Sequence, residues 1–491
     1  MRFIHEILDA SVHTSCEKTA IITKNKVISY GELQRESFYF GNYLLSQGVK
    51  KGDRVLLKLN NSIDLVCALI GVSRCGGVAV VINPSTTQYN LDYIVNDCKP
   101  KLLIHEGQEL LKNSFMQSIS IDVIREEIKK NKYNIPKIAS NGLKERDVAL
   151  LIYTSGSTGR PKAVVSSHSN VIFCTKTIAK ALDIRPDDVI GNFLPLSFDY
   201  GLYQVFLSLY SAAKLALTDL NMAGIQLVKC LKEWKVTILP SMPHLTAGVI
   251  KLLPRYKNDI PLRVITNTGE SLPSSYIKSI KELLPSCKIY PMYGLTECKR
   301  VSILTPSELE NKPGSVGKSI SQVHCYIVDE YENVLGPEQT GQLVVKGPNV
   351  MQGYWNNINL TSKKFKKNEN GRYDTLYTGD LFKMDSDGYL YFVGRLDEMY
   401  KQNGFRVSPR EIEEAFYNLE LAEIAIVIPP DQSMEKSTLF IKTDKSLDYI
   451  KEKIKNRLEY YKIPDKIIIL DEFPISTNKK IDKNKLREIR S

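Results

Sequence analysis

The chain has 491 residues, 43% of them hydrophobic and 25% charged, with a formal net charge of +11. That length exceeds what one hydrophobic core usually serves, so two or more domains are expected, and no apolar run reaches the roughly eighteen residues that a membrane-spanning helix needs. The nine cysteines are scattered singly with no Cys-x-x-Cys pair, which argues against a zinc site or a disulfide framework and for reduced thiols in a cytoplasmic protein.

In chain order, Glu6 stands too early for a secretory signal. The apolar run Arg54–Leu59 reads as a strand and Ser62–Cys75 as the helix after it. Val148–Tyr153, Val236–Pro240 and Leu262–Thr266 read as buried strands, the last two each followed by a helix. This alternation predicts an α/β fold with parallel-rich sheets. Tighter alternation over Gln342–Lys346 and Tyr389–Val393 predicts a small β-rich subdomain. Beyond Asp397 the texture changes: helix Pro409–Leu419, strand Ile424–Ile428, helix Leu447–Leu458 and strand Lys466–Leu470 describe a compact α+β unit. The expected division is a large N-terminal domain over 1–396 and a small C-terminal domain over 397–491. The lysine excess raises nucleic acid, an anionic membrane or an acidic protein as partners. Yet the lysines alternate with acids and asparagines, as in Lys363-Lys364-Phe365-Lys366-Lys367-Asn368-Glu369, and no aromatic–basic RNA signature occurs, so neither nucleic acid nor a membrane span is expected.

One stretch carries more chemistry than the rest. Between the apolar runs Val148–Tyr153 and Ala163–Val165 lies Thr154-Ser155-Gly156-Ser157-Thr158-Gly159-Arg160-Pro161-Lys162. Its glycines allow backbone N–H groups to approach an oligophosphate with no Cβ in the way. Its hydroxyls donate further hydrogen bonds, and Lys162 supplies a point charge. The spacing differs from that of the NTPase P-loop. An ordinary glycine- and serine-rich surface loop is the competing explanation.

Tyr153 to Lys162 resembles the phosphate loop of the adenylate-forming ligases, the family of acyl-CoA synthetases, amino-acid adenylation domains of peptide synthetases and beetle luciferases. Other stretches resemble the family's motifs in the family's order: Gly76 to Pro84, Tyr293-Gly294-Leu295-Thr296-Glu297, Tyr377-Thr378-Gly379-Asp380, Gly394-Arg395-Leu396-Asp397, Gly404 to Glu413, and Pro474 to Asp482. The resemblance covers nearly the whole chain. It implies ATP-dependent activation of a carboxylic or amino acid through an acyl-AMP intermediate, followed by transfer to a phosphopantetheine thiol.

The same resemblance assigns roles. It implies that Glu297 binds Mg²⁺, that Tyr293 stacks on adenine with Gly294 and Leu295 beside it, and that Gly269-Glu270-Ser271 form the opposite wall. Asp380 would accept both ribose hydroxyls, with Arg395 supporting the ribose or the phosphates. Thr296, Lys480 and Lys401 would be catalytic. Lys480 would bond the substrate carboxylate and the α-phosphate, and Lys401 would face the site after the small domain rotates about a hinge at Asp397. Lys479 stands where the family usually has glycine, which makes it a competitor for Lys480, and Ala163 likewise replaces a common glycine.

For the acid, Leu194-Pro195-Leu196-Ser197-Phe198-Asp199 has Phe198 where acyl-CoA synthetases often have histidine. In the adenylation domains, which share Phe-Asp, the aspartate pairs with the substrate's ammonium. Asp199 could instead cap the following helix. Arg300 could neutralise Asp199 or bind a second carboxylate, and Tyr200 and Tyr203 suggest a short pocket. The expectation is a stand-alone ligase joining a small amino acid to a separate acyl or peptidyl carrier protein. The alternative is a ligase joining a fatty or aryl acid to coenzyme A.

Overall fold

The computed structural model describes residues 1–107, 117–131, 142–155, 161–218, 225–255, 259–402, 405–430, 436–455, 457–476 and 480–489. Among them a nine-stranded sheet forms one layer. Its central six strands are parallel, in the order Lys288–Tyr293, Val264–Asn267, Ile238–Ser241, Val189–Asn192, Lys214–Leu217 and Thr19–Ile22. These strands are short runs of β-branched and aliphatic residues buried on both faces, as parallel strands covered by helices must be.

A second, six-stranded sheet runs Gln117–Ser120, Leu102–His105, Arg54–Lys58, Val78–Val81, Val148–Ser155 and Pro161–Ser167. All its pairings are parallel except the last, an antiparallel edge hairpin with Thr154 opposite Lys162. The third sheet is antiparallel, has five strands, and contains the long strand Tyr373–Met384 and Leu390–Arg395. The α/β class, the parallel-rich sheets and the small β-rich part are as expected.

One large hydrophobic core runs from Ile4 to Leu390, and a separate small one begins at Tyr400 and ends at Leu458. The second core belongs to a three-stranded sheet, Ile424–Ile428, Thr438–Lys442 and Lys466–Ile469, packed by helices Pro409–Asn418 and Leu447–Lys455. Thr438–Lys442 is absent from the sequence reading, although it is the middle strand. It is buried along nearly its whole length, so it reads as a short apolar run without alternation. No described helix is long and apolar enough to cross a membrane.

Candidate active site

Loops leaving the carboxyl ends of four adjacent parallel strands converge on one cavity of about 1420 Å³, the place where open α/β sheets present ligand sites. The segment after Val189–Asn192 delivers Asp199, that after Ile238–Ser241 delivers Pro243 and His244, that after Val264–Asn267 delivers Gly269, Glu270 and Ser271, and that after Lys288–Tyr293 delivers Gly294 to Arg300. Helix Pro409–Asn418 and the segment around Lys480 close the cavity from the C-terminal unit. Thr154, Lys162, Tyr200, Tyr203, Leu295, Thr296, Glu297, Arg395 and Asp397 also line it.

The turn 294–300 explains why several charged groups meet. A Cβ on Gly294 would lie 1.6 Å from the Lys299 carbonyl oxygen, so only glycine lets this segment fold back so tightly. Lys299 takes a left-handed φ of 53° at the far end of the turn. Glu297 and Lys299 thereby face different parts of one cavity.

In the first part, Glu297 Oε1 accepts hydrogen bonds from Lys162 Nζ at 2.9 Å and from the Tyr354 hydroxyl at 2.6 Å. Burial pushes the Glu297 pKa up, but the Lys162 ammonium and these hydrogen bonds outweigh it and hold the carboxyl below its ordinary value. Lys364 reaches the same region, with no hydrogen-bond acceptor among the described residues, and burial lowers its pKa. Together these groups form a cationic cradle around one ionised carboxylate. No group of three or more His, Cys, Asp or Glu side chains able to hold a metal occurs among the described residues. A single carboxylate beside cations suits a Mg²⁺ ion that takes most of its ligands from phosphate and water.

In the second part, Asp380 is 2% exposed. Its Oδ2 accepts from the Tyr293 hydroxyl at 2.6 Å, while Oδ1 has no hydrogen-bond partner among the described residues. Burial raises its pKa, and Arg395, 3.9 Å away, opposes that rise. An orphaned buried acceptor of this kind fits a ligand hydroxyl. The Tyr293 ring packs edge-on to Phe382, with centroids 4.6 Å apart. It lines a smaller adjoining cavity of about 560 Å³ that shares Gly269, Glu270, Ser271, Leu295 and Arg395 with the first.

In the third part, Asp199 is the first residue of helix Asp199–Tyr210. Phe198 occupies the N-cap position and makes no side-chain cap, so helix capping does not explain the aspartate. Asp199 Oδ2 instead accepts from Lys299 Nζ at 3.3 Å. Arg300 faces the Tyr200 ring, with its guanidinium carbon 5.5 Å from the centroid. Tyr200 in turn is tied by its hydroxyl to Thr266, and burial pushes its pKa up to about 12.

Lys480 Nζ donates to the Gly269 carbonyl at 3.4 Å and lies 5.4 Å from the Phe198 ring centroid. Arg410 Nη2 donates to Ser271 Oγ at 2.9 Å, and the Tyr276 hydroxyl donates to the Glu423 carbonyl at 2.8 Å. These contacts join the C-terminal unit to the large one. Gly156, Ser157, Thr158, Gly159 and Lys479 lie outside the described residues, as do the side chains of Ser155 and Lys401. Sequence reasoning missed Lys299, Tyr354 and Lys364. Lys299 directly precedes the noted Arg300, so the pair of basic residues was the available signal. Tyr354 lies outside every motif quoted and gave none, and Lys364 stood only within the lysine-rich stretch 363–369, which reads as a solvated surface.

The profile of the AMP-binding enzyme family matches residues 8–355. Bacitracin synthase 2 of Bacillus licheniformis is 27% identical over 485 residues, covering 96% of this chain and 18% of that protein. Syringomycin synthase SyrB1 of Pseudomonas syringae pv. syringae is 27% identical over 99% of this chain and 81% of its own length. The chain thus spans about a fifth of the first of these relatives. Among solved structures, VinN in complex with L-aspartate is 31% identical, with a TM-score of 0.74 over 80% of this chain and 98% of that one. A benzoate CoA ligase from Burkholderia xenovorans LB400 shares the fold, with a TM-score of 0.89 over 99% of both chains at 24% identity. This chain therefore belongs to the AMP-binding enzyme family.

Proposed function

We propose that this chain is an adenylate-forming ligase that activates an amino acid and passes it to a phosphopantetheine thiol on a carrier protein. The observation that carries this reading is the charged end of the cavity, where Asp199, Lys299 and Arg300 are gathered. A fatty or aryl acid would bury an apolar tail against these charges and leave each without a new partner. An amino acid brings an ammonium for Asp199, whose single described ion pair is with Lys299. The synthase relatives and the L-aspartate complex of VinN support an amino acid as the acid.

The reaction joins two anions, a carboxylate and the α-phosphate of ATP, so its main obstacle is charge. Lys162 and Lys364 are the residues proposed to hold the phosphates, and Asp380 Oδ1 and Arg395 the ribose. Glu297 would hold Mg²⁺, which when bound neutralises phosphate oxygens. Lys480 reaches the junction between the parts and would cancel charge on the attacking carboxylate and on the transferring phosphorus. Thr296 lines the same space. For the second step the small domain, 397–491, would turn about Asp397, which Arg395 holds at 2.8 Å, and bring Lys401 inward.

The test is pyrophosphate exchange with the purified protein over a panel of acids. Label returning to ATP with amino acids and not with benzoate or octanoate supports the reading. Exchange only with the last two reverses it in favour of a fatty- or aryl-CoA ligase.

A further inference from the structure

The basic pair beside Asp199 in the cavity has more donors than the described residues satisfy. Arg300 is 7% exposed and Lys299 6% exposed, and both line the cavity. Lys299 uses one hydrogen bond, to Asp199. Arg300 makes no side-chain hydrogen bond to any described residue, and its Nε is buried without an acceptor. Its neighbour is the face of Tyr200, which attracts a cation and accepts no guanidinium hydrogen bond in the plane of the fork. Burial lowers the Arg300 pKa, the mark of a cation held away from water with too little opposing charge.

The charges near this end do not balance. Asp199 pairs closely with Lys299 and acts on Arg300 only at longer range, and no described carboxylate forms an ion pair with Arg300. A substrate ammonium at Asp199 would place three cations around one carboxylate. Native proteins rarely leave a buried guanidinium unmatched, because an uncompensated buried charge is among the costliest local defects. A second carboxylate on the substrate restores the balance, and the planar fork of Arg300 suits it.

We propose that the acid is an amino dicarboxylate of about aspartate size, with Arg300 and Lys299 holding the carboxylate that is not adenylated and Asp199 holding the ammonium. This rests on the amino-acid reading above and narrows it. Tyr200 and Tyr203, both buried on the cavity wall, limit the length of the chain between the two carboxyl groups. Arg300 and Lys299 are thus specificity-determining residues, and Lys480 keeps the reacting carboxylate.

The experiment is pyrophosphate exchange with L-aspartate, L-glutamate, L-asparagine, L-alanine, succinate, benzoate and octanoate, on the wild type and on Arg300→Met. The expected result is a kcat/KM for L-aspartate or L-glutamate about 100-fold above that for L-asparagine or L-alanine. In Arg300→Met that advantage falls to within about threefold, and a circular dichroism spectrum and urea midpoint matching the wild type report that the variant is folded. Equal use of L-alanine and the acidic amino acids by the wild type overturns the second-carboxylate subsite and leaves the amino-acid reading standing. Exchange with succinate, benzoate or octanoate and with no amino acid overturns the amino-acid reading itself. An Arg300→Met variant that keeps the full wild-type preference removes Arg300 from the role.

Discussion

Lys480 Nζ lies 3.4 Å from the carbonyl oxygen of Gly269, so the last loop of the chain touches the wall of the cavity built by the large unit. Gly269 holds a left-handed φ of 88°, which favours glycine, while a Cβ there would stand 3.5 Å from the Lys480 ammonium, an ordinary contact; backbone conformation rather than clearance calls for glycine here. One cation carried by the small unit is therefore delivered into the cavity beside Gly269 and the Phe198 ring.

Replacing Lys480 with alanine is expected to slow adenylation by roughly 100- to 1,000-fold, the scale on which a charge-stabilising group acts in a transition state. Thioester formation from supplied acyl-adenylate should stay near the wild-type rate, because that step begins after the α-phosphorus has been attacked. Single-turnover assays of the two half-reactions separate them. Equal loss in both would remove Lys480 from the role proposed for it.

Asp199→Asn keeps the volume and removes the charge facing Lys299. Use of amino acids should fall by about 100-fold in kcat/KM, and exchange with acids lacking an amine should fall far less. The variant leaves the Lys299 ammonium, with only 4% of its side chain exposed, without its carboxylate. A stability loss of about 3 kcal/mol is therefore expected in urea titration. Unchanged preference between amino acids and plain acids would count against Asp199 as the ammonium partner.

The layers of the fold were legible because parallel strands announce themselves as short apolar runs alternating with helices, and Ile424–Ile428 was read to the residue. Thr438–Lys442 was not, because a strand buried on both faces loses its alternation. Within the site, motif residues such as Glu297 and Asp380 could be singled out by resemblance. Their pairings could not: Tyr354 is 57 positions from Glu297, and Tyr293, singled out for adenine stacking, is 87 from the Asp380 carboxylate to which it donates. Lys299 is a different case. It sits next to Arg300 in sequence, but only the left-handed turn reveals that its side chain meets Asp199, 100 positions away.

Tyr354→Phe deletes one of the two hydrogen bonds to Glu297 Oε1 while leaving Lys162 in place. Burial raises the Glu297 pKa, and the Lys162 ammonium and the Tyr354 hydroxyl together depress it below the ordinary value. Loss of the hydroxyl must therefore move that pKa upward. The ionised form is the one a metal–phosphate complex needs, so the acid limb of the profile of kcat/KM for MgATP should shift to higher pH. At neutral pH, kcat/KM should fall by roughly tenfold, as for a lost hydrogen bond to a charged group. A limb that stays in place while the rate drops would show that Tyr354 acts through packing alone.

Far from the cavity, His5 and His168 form a buried pair whose protonation should limit stability in acid. The Ile4 backbone N–H donates to His168 Nδ1 at 3.2 Å, which requires that nitrogen to be unprotonated. His5 Nδ1 lies 3.0 Å from Ser73 Oγ. Burial, with Arg74 adding to it, lowers the His5 pKa to about 4, against the opposing pull of Asp9 and Glu6. Burial and His5 lower that of His168 to about 3, against Asp147. Unfolded histidine titrates near 6.5. Below that pH the unfolded chain binds protons that the folded chain refuses, so stability is fully present above about 6.5 and declines as pH falls towards the folded values. Between pH 7 and pH 4 each histidine should contribute a loss on the order of 3 kcal/mol. His168→Gln offers an acceptor to Ile4 without a titrating ring, so its urea midpoint should vary less steeply with pH than that of the wild type. Parallel slopes for the two proteins from pH 7 to pH 4 would assign the acid sensitivity to other groups.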